Sequence, residues 1–171
     1  MIEPDLQADC ASCAALCCVA FYFDKGDEFA IDKPAATPCP KLDRHSCTIH
    51  DRLEDEGFAG CRRYDCHGAG QRVVQDLFGG RSWQDDPKLM RPMIDAFAAM
   101  RALHDRRVLL AAAARLPLSP GDEAQRARLA HDLSPRGFDT EGLAAFPASP
   151  QAAAIDAFIA GLRRYIPAPG H

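Results

Sequence analysis

Three cysteine-rich stretches decide the fold of this chain: residues 10–18 read CASCAALCC, residues 39–50 read CPKLDRHSCTIH, and residues 60–67 read GCRRYDCH. They contain all eight cysteines, and no cysteine follows residue 66 in the 171-residue chain. Such a density indicates either a disulfide framework or a metal site. The N-terminus lacks the basic and apolar regions of a secretory signal peptide. We therefore expect a cytoplasmic protein whose reduced thiols bind metal, with a structural or redox disulfide set as the alternative.

The spacing of the first four cysteines suggests how they could share metal. Cys10, Cys13 and Cys17 are spaced i, i+3, i+7, so in a helix their sulfurs would lie on one face. Cys18 would then point about 100° away from Cys17, where it could serve a second ion, bridge two ions, or pack as a buried thiol. The predicted metal ligands are Cys10, Cys13, Cys17, Cys18, Cys39, Cys47, Cys61 and Cys66.

The segment between residues 33 and 66 is poor in large apolar side chains and rich in proline and charge. This is too little burial to order an irregular segment, so metal ligation would have to supply the missing stability. His50 and His67 lie beside Cys47 and Cys66 in the sequence. Each histidine is either a metal ligand or a polar neighbour of one.

The remaining pattern is mainly α-helical. Alternating apolar residues around a turn predict a short β-hairpin over residues 19–32. Residues 48–56 predict a short helix ended by Gly57, and residues 71–78 predict another before two glycines. Capping residues predict further helices starting at Asp86, Ser119, Asp139 or Thr140, and Ser149. We predict an irregular metal-binding module at residues 1–78 and a small helical bundle at residues 79–171 packed on it.

The cysteine order resembles that of a bacterial family. The quoted Cys-x2-Cys-x3-Cys-Cys run, followed by Cys-Pro-x-Leu at 39–42, Cys-x-Ile-His at 47–50 and Tyr-Asp-Cys at 64–66, is similar to the YkgJ-like cysteine-cluster family, a zinc- or iron-chelating domain. Three residues precede the cysteine pair here, where the family pattern has two. Flagellin lysine methylases carry a similar cluster. The resemblance implies a class of cofactor, iron–sulfur cluster, iron or zinc, more than a reaction.

Three functions follow from these observations. The first is a metal-thiolate protein, holding an iron–sulfur cluster, that acts in redox chemistry or assists another enzyme through a protein contact. A single Cys-x2-Cys knuckle, at Cys10 and Cys13, favours iron over zinc. The second is a zinc-stabilised interaction module without catalysis, and the third is a cluster-assisted methyl transfer. The net charge of -4 argues against nucleic-acid binding, and no apolar run is long enough to predict a membrane span.

Overall fold

The computed structural model describes residues 6–133 and 138–166. Its α-helices are Leu16–Ala20 (α1), Ala59–Arg63 (α2), Ala69–Arg72 (α3), Met90–Ala113 (α4), Pro120–Asp132 (α5), Thr140–Ala145 (α6) and Pro150–Gly161 (α7). A π-helical turn follows α3, and its bounds are Val73–Leu77. The 3-10 turns are Cys10–Ser12, His50–Arg52, Pro87–Leu89, Phe146–Ala148 and Leu162–Tyr165. The strands are Leu42–Asp43 (β1) and Ser46–Cys47 (β2), so the described chain is mainly α-helical with a short β-hairpin, as predicted.

The hairpin lies elsewhere than the sequence predicted. Strands β1 and β2 pair antiparallel, and Leu42 stands opposite Cys47. The predicted hairpin over residues 19–32 is wrong, because residues 19 and 20 belong to α1 and the backbone pairing that remains is an isolated bridge between Phe23 and Lys33. Side-chain packing explains the difference. The rings of Phe23 and Phe29 stack with their centroids 4.3 Å apart, so the alternating apolar residues order a loop instead of two strands.

The helix starts after residue 85 follow the predicted capping residues. Asp86, Ser119, Asp139 and Ser149 each accept a hydrogen bond from a backbone N–H in the first turn that follows them. These bonds satisfy donors that a helix start otherwise leaves unpaired. Pro92 lies in the first turn of α4, where its missing N–H breaks no helical bond. Local signals therefore determine where these helices begin.

A larger core joins both predicted modules. Leu16 and Val73 from the first module and Met93 and Phe97 from the second are fully or almost fully buried in it. The indole N–H of buried Trp83 donates to the Ala14 carbonyl oxygen at 2.7 Å, which also ties the two modules together. Described residues on both sides of residue 79 therefore share one core, while the division into two modules stays a prediction.

A smaller core lies within the irregular segment. Its buried members are Phe23, Cys39, Ile49, Leu53 and Phe58. The helix predicted over residues 48–56 shortens to the 3-10 turn His50–Arg52, although Gly57, with φ of 78°, does end this segment. So few buried side chains leave most of this backbone without regular structure.

None of the helices within residues 6–133 and 138–166 is, taken singly, long and apolar enough to cross a membrane. One pair, Thr140–Ala148 with Pro150–Tyr165, reaches that length and composition jointly, but it is bent by 45°.

Candidate metal centre

The first four cysteines are carried by two short turns and not by one helix. Asp9 caps the 3-10 turn Cys10–Ser12 by accepting a hydrogen bond from the Ala11 N–H, and Cys13 follows in extended conformation. Ala15 has a left-handed backbone with φ of 53°, and α1 begins only after it. The predicted helical face shared by Cys10, Cys13 and Cys17 is therefore wrong, because a left-handed residue interrupts any helix.

Cys10, Cys13, Cys17 and Cys66 nevertheless come together, and we call them the first cysteine group. Burial raises the pKa of the Cys13 thiol to about 12, and the neighbouring Cys17, Cys66 and Cys10 add to this effect. Burial is also the main cause that raises the pKa of the Cys10 thiol, and Cys17 and Cys66 raise it further. Three of the four pack against the larger core, while Cys10 is exposed. The fold thus brings Cys66, at the end of the cysteine-rich segment, close to the turn at the start of that segment.

Gly70 provides the room for this group. A Cβ atom at Gly70 would lie 2.5 Å from the Cys13 Sγ, which is closer than real contacts allow. Because Gly70 has no side chain, the α3 backbone can pass close to this thiol. Helix α3 therefore packs directly against the Cys13 thiol.

Cys18, Cys39, Cys47 and Cys61 form a second cysteine group, because all four belong to or pack against the smaller core. The Cys39 N–H donates to the Cys18 carbonyl oxygen at 3.0 Å, and hairpin strand β2 carries Cys47. Burial raises the pKa of the Cys61 thiol, carried by α2, to about 11, and Cys17, Cys39 and Cys47 add to it. Four separate segments thus supply the members of this group.

The adjacent pair in α1 connects the two groups. The pKa of Cys17 is raised well above its usual range. The main cause is a hydrogen bond between the Cys17 and Cys18 thiols, and the second cause is burial. Cys17 packs on the larger core and Cys18 on the smaller core. The sequence left Cys18 as a ligand of a second ion, a bridge or a packed thiol. The structure places it with the later cysteines.

Lys33 lies beside the second cysteine group, and sequence reasoning missed it. Its side chain is only 3% exposed. The ammonium group donates to the carbonyl oxygens of Thr37 at 2.7 Å and Pro34 at 3.1 Å, and lies 5.0 Å from the Phe23 ring centroid. Burial lowers the pKa of Lys33, while Cys39, Cys18, Cys17 and Cys61 act in the opposite direction. A lysine before a proline carries no sequence signal for such a position.

The histidines are placed near the cysteines in sequence and have other contacts in space. His67 pairs with Asp65, with 3.5 Å between Nδ1 and Oδ2. His50 is exposed at the start of its 3-10 turn. His104 is a fully buried histidine of α4 that the sequence did not single out, and its Nδ1 hydrogen-bonds the His67 carbonyl oxygen. Whether His50 or His67 binds metal stays a prediction.

The chemistry of the donors fits a metal-thiolate centre, although their present positions do not complete one. All eight cysteines are free thiols. Four sulfur ligands are what tetrahedral zinc and iron–sulfur sites use. Yet across residues 6–133 and 138–166 no three His, Cys, Asp or Glu side chains form a group that could hold a metal ion. Metal binding at either group therefore requires the thiols to move closer together.

The comparisons with known proteins add a relative but no activity. The chain is 44% identical over 105 residues to "Uncharacterized protein YybG" of Bacillus subtilis (strain 168). The aligned region covers 61% of this chain and 38% of that protein, so the chain spans well under half of this curated relative. No family model and no solved structure matches the chain. The resemblance to the cysteine-cluster family therefore stays a prediction.

Proposed function

We propose that this protein binds metal at two four-thiolate centres, one in each cysteine group. The first choice of metal is iron, as an iron–sulfur cluster or as the ion, and zinc is the alternative. The centres would serve redox chemistry or assist another enzyme in the cytoplasm through a protein partner. When bound, such a group supplies electron transfer or a rigid cross-link, depending on the metal.

The observation that carries this proposal is the gathering of distant cysteines into two sets of four. Cys10 and Cys66 stand at opposite ends of the cysteine-rich segment, yet each affects the ionisation of Cys13. Cys39, Cys47 and Cys61 likewise come from separate segments and belong to or pack against the smaller core. Packing alone does not call for cysteine at these positions, because ordinary apolar residues would exclude water from a core equally well. Soft metals, in contrast, are bound by sulfur ligands.

A zinc-stabilised interaction module is the second candidate, and the smaller core favours it. Five buried residues hold together a segment that runs from Phe23 to Phe58. A structural metal commonly stabilises segments with so small a core. Tyr22, which is 67% exposed next to this segment, offers an aromatic contact for a partner. Cluster-assisted methyl transfer ranks third, because the sequence carries no motif for a methyl donor.

Anaerobic purification followed by elemental analysis and absorption spectroscopy tests the proposal. We expect metal bound through both groups, with visible charge-transfer absorption if it is iron–sulfur and none if it is zinc. Cys66→Ser and Cys61→Ser should each lower the metal content, since a serine hydroxyl is a poor substitute for a thiolate. A protein that binds neither metal under reducing conditions would contradict the proposal.

Histidine variants provide the matched control. His50→Asn and His67→Asn change neighbours of the cysteines without removing a thiol. Full metal content in both variants, alongside losses in the cysteine variants, would show that the sites are built from sulfur alone. A loss in either histidine variant would add that histidine to the ligands.

A further inference from the structure

We infer that a cleft between the β-hairpin and the start of α4 binds a small aromatic monocarboxylate. Its volume is about 360 Å³, at the lower end of the range for small-molecule sites. The hairpin and the loop before it form one wall, and the segment that leads into α4 forms the other. No cysteine is among the described residues that line this cleft, so the site is independent of the proposed metal centres.

Hydrogen bonds join the two walls at the hairpin turn. His45 Nε2 lies 2.8 Å from the Ser82 Oγ, and the Gln84 side-chain amide donates to the Arg44 carbonyl oxygen. The backbone N–H of Gln84 donates to the same Ser82 Oγ at 3.0 Å. The hairpin turn is therefore fixed against residues 82–84, and the cleft is formed before any ligand binds, as is usual for small-molecule sites.

Most of the cleft lining is apolar, and its apolar residues are Pro38, Leu42, Trp83, Pro87 and Met90. The indole N–H of Trp83 already donates to the Ala14 carbonyl oxygen at 2.7 Å, so Trp83 provides ring surface and no free donor. Aromatic rings pack well against an indole and against the flexible side chain of a methionine. The lining therefore suits a ligand with an aromatic body.

Arg44 is the charged residue among the described residues that line the cleft. It is exposed, and no ion pair within residues 6–133 and 138–166 includes it. A guanidinium binds a carboxylate through two parallel N–H···O bonds. A phosphate group carries up to about two negative charges, whereas the lining provides one cation. The charge of the cleft thus favours a ligand with a single carboxylate.

Tryptophan fluorescence tests this inference directly, because Trp83 is the single tryptophan of the chain. The full, reduced protein is titrated with phenylacetate and, separately, with phenylacetamide, which has the same ring and no charge. We expect a saturable change of fluorescence with phenylacetate. Phenylacetamide should bind about tenfold more weakly or less, because it lacks the charge-assisted hydrogen bonds to Arg44.

Variants of the lining test the two halves of the ligand. Arg44→Gln should weaken phenylacetate binding about tenfold and leave phenylacetamide binding unchanged. Arg52→Gln is the matched control in the same segment, because its guanidinium pairs with Glu56 at 3.1 Å outside the cleft, and it should change neither affinity. Met90→Glu places a carboxylate on the apolar wall, so it should weaken binding of the acid more than binding of the amide.

Three results would overturn the inference. They are the absence of any saturable change at millimolar phenylacetate, equal affinity for the acid and the amide, and phenylacetate binding that Arg44→Gln leaves unchanged. Tighter binding of phenyl phosphate than of phenylacetate would likewise contradict the single-charge ligand. If Arg44→Gln does not fold, Met90→Glu still decides, because equal losses for acid and amide contradict a bound carboxylate. None of these results changes the proposed function, which is tested by metal content.

Discussion

Gly70 shows how the absence of a side chain shapes the first cysteine group. It lies in α3 with no positive φ, so its backbone conformation is one that any residue adopts. The requirement is for space, because a Cβ there would lie 2.5 Å from the Cys13 Sγ and 3.8 Å from the Phe97 Cε2. Of these two neighbours, the thiol is the atom that would have to move.

Gly70→Ala should therefore destabilise the protein and disturb its metal binding. We expect a loss of about 1–3 kcal/mol in the free energy of unfolding, which is typical of overpacking. Urea denaturation of the reduced, metal-free chain measures it, and elemental analysis should show less metal at the first cysteine group.

Gly121→Ala is the control for this prediction. Gly121 is also helical, but the nearest atom to its added Cβ is the Ser119 Oγ at 4.0 Å. Alanine should be neutral or stabilise α5 by up to about 1 kcal/mol. Equal effects at the two glycines would show that the close contact with Cys13 is not important.

At the scale of elements, α4 is the support on which the first cysteine group rests. Its buried face includes Met93, Phe97, Met100 and Leu103. The Phe97 ring lies 6.0 Å from that of Phe21, just beyond α1. Packing against α4 thus fixes the position of the segments that carry the cysteines.

Phe97→Ala should cost about 3–5 kcal/mol in the free energy of unfolding, because it leaves a cavity in the larger core. Leu109→Ala on the same helix should change it by about 0.5 kcal/mol or less, since Leu109 is 49% exposed. Thermal or urea denaturation distinguishes the two variants. Similar losses for both would contradict the packing of α4 described above.

The start of α5 holds the C-terminal 3-10 turn through Asp122. Hydrogen bonds from the Tyr165 hydroxyl, and then from Arg164 and Ser119, lower the pKa of Asp122 from 3.8 to about 2. A carboxyl whose pKa falls on folding contributes stability that is complete above its unfolded value. That contribution is lost as pH falls toward the folded value.

Asp122→Asn should therefore be less stable than the native protein at neutral pH, by an amount that shrinks between about pH 4 and pH 2. Urea denaturation of both proteins at several pH values measures this difference. Tyr165→Phe should also lower the stability at neutral pH, by a smaller amount. A deficit that stays constant down to pH 2 would show that the Asp122 charge does not contribute.

At the scale of the whole molecule, the two cores differ in how much of the structure they can stabilise without bound metal. The larger core includes the long helix α4, while the smaller core has five buried residues, one of them Cys39. Segments with few buried apolar contacts open at lower free energy than the rest of a protein. The smaller core should depend on metal the most.

Chelation under reducing conditions should therefore loosen residues 39–66 before α4. Hydrogen–deuterium exchange with mass spectrometry should show faster exchange in that segment once metal removal has been verified, while α4 amides stay protected. Unchanged exchange in residues 39–66 after metal loss would show that the smaller core is sufficient alone.

The sequence by itself determined the helix starts after residue 85, the mainly helical class and the identity of the candidate ligands. Capping at Ser119 and Ser149 depends on residues three positions apart, so it can be predicted without knowing the rest of the fold. Thiol chemistry is likewise a property of the residue type. Such local effects survive in any fold that the chain adopts.

Only the tertiary structure decided which cysteines meet. The left-handed Ala15 interrupts the expected helix, and α1 then directs Cys17 and Cys18 toward different cores. The position of the hairpin and the burial of Lys33 also depend on contacts between distant segments. These features come from packing between distant segments, where small free-energy differences select one backbone conformation among many. The spacing of residues along the chain does not predict which conformation is selected.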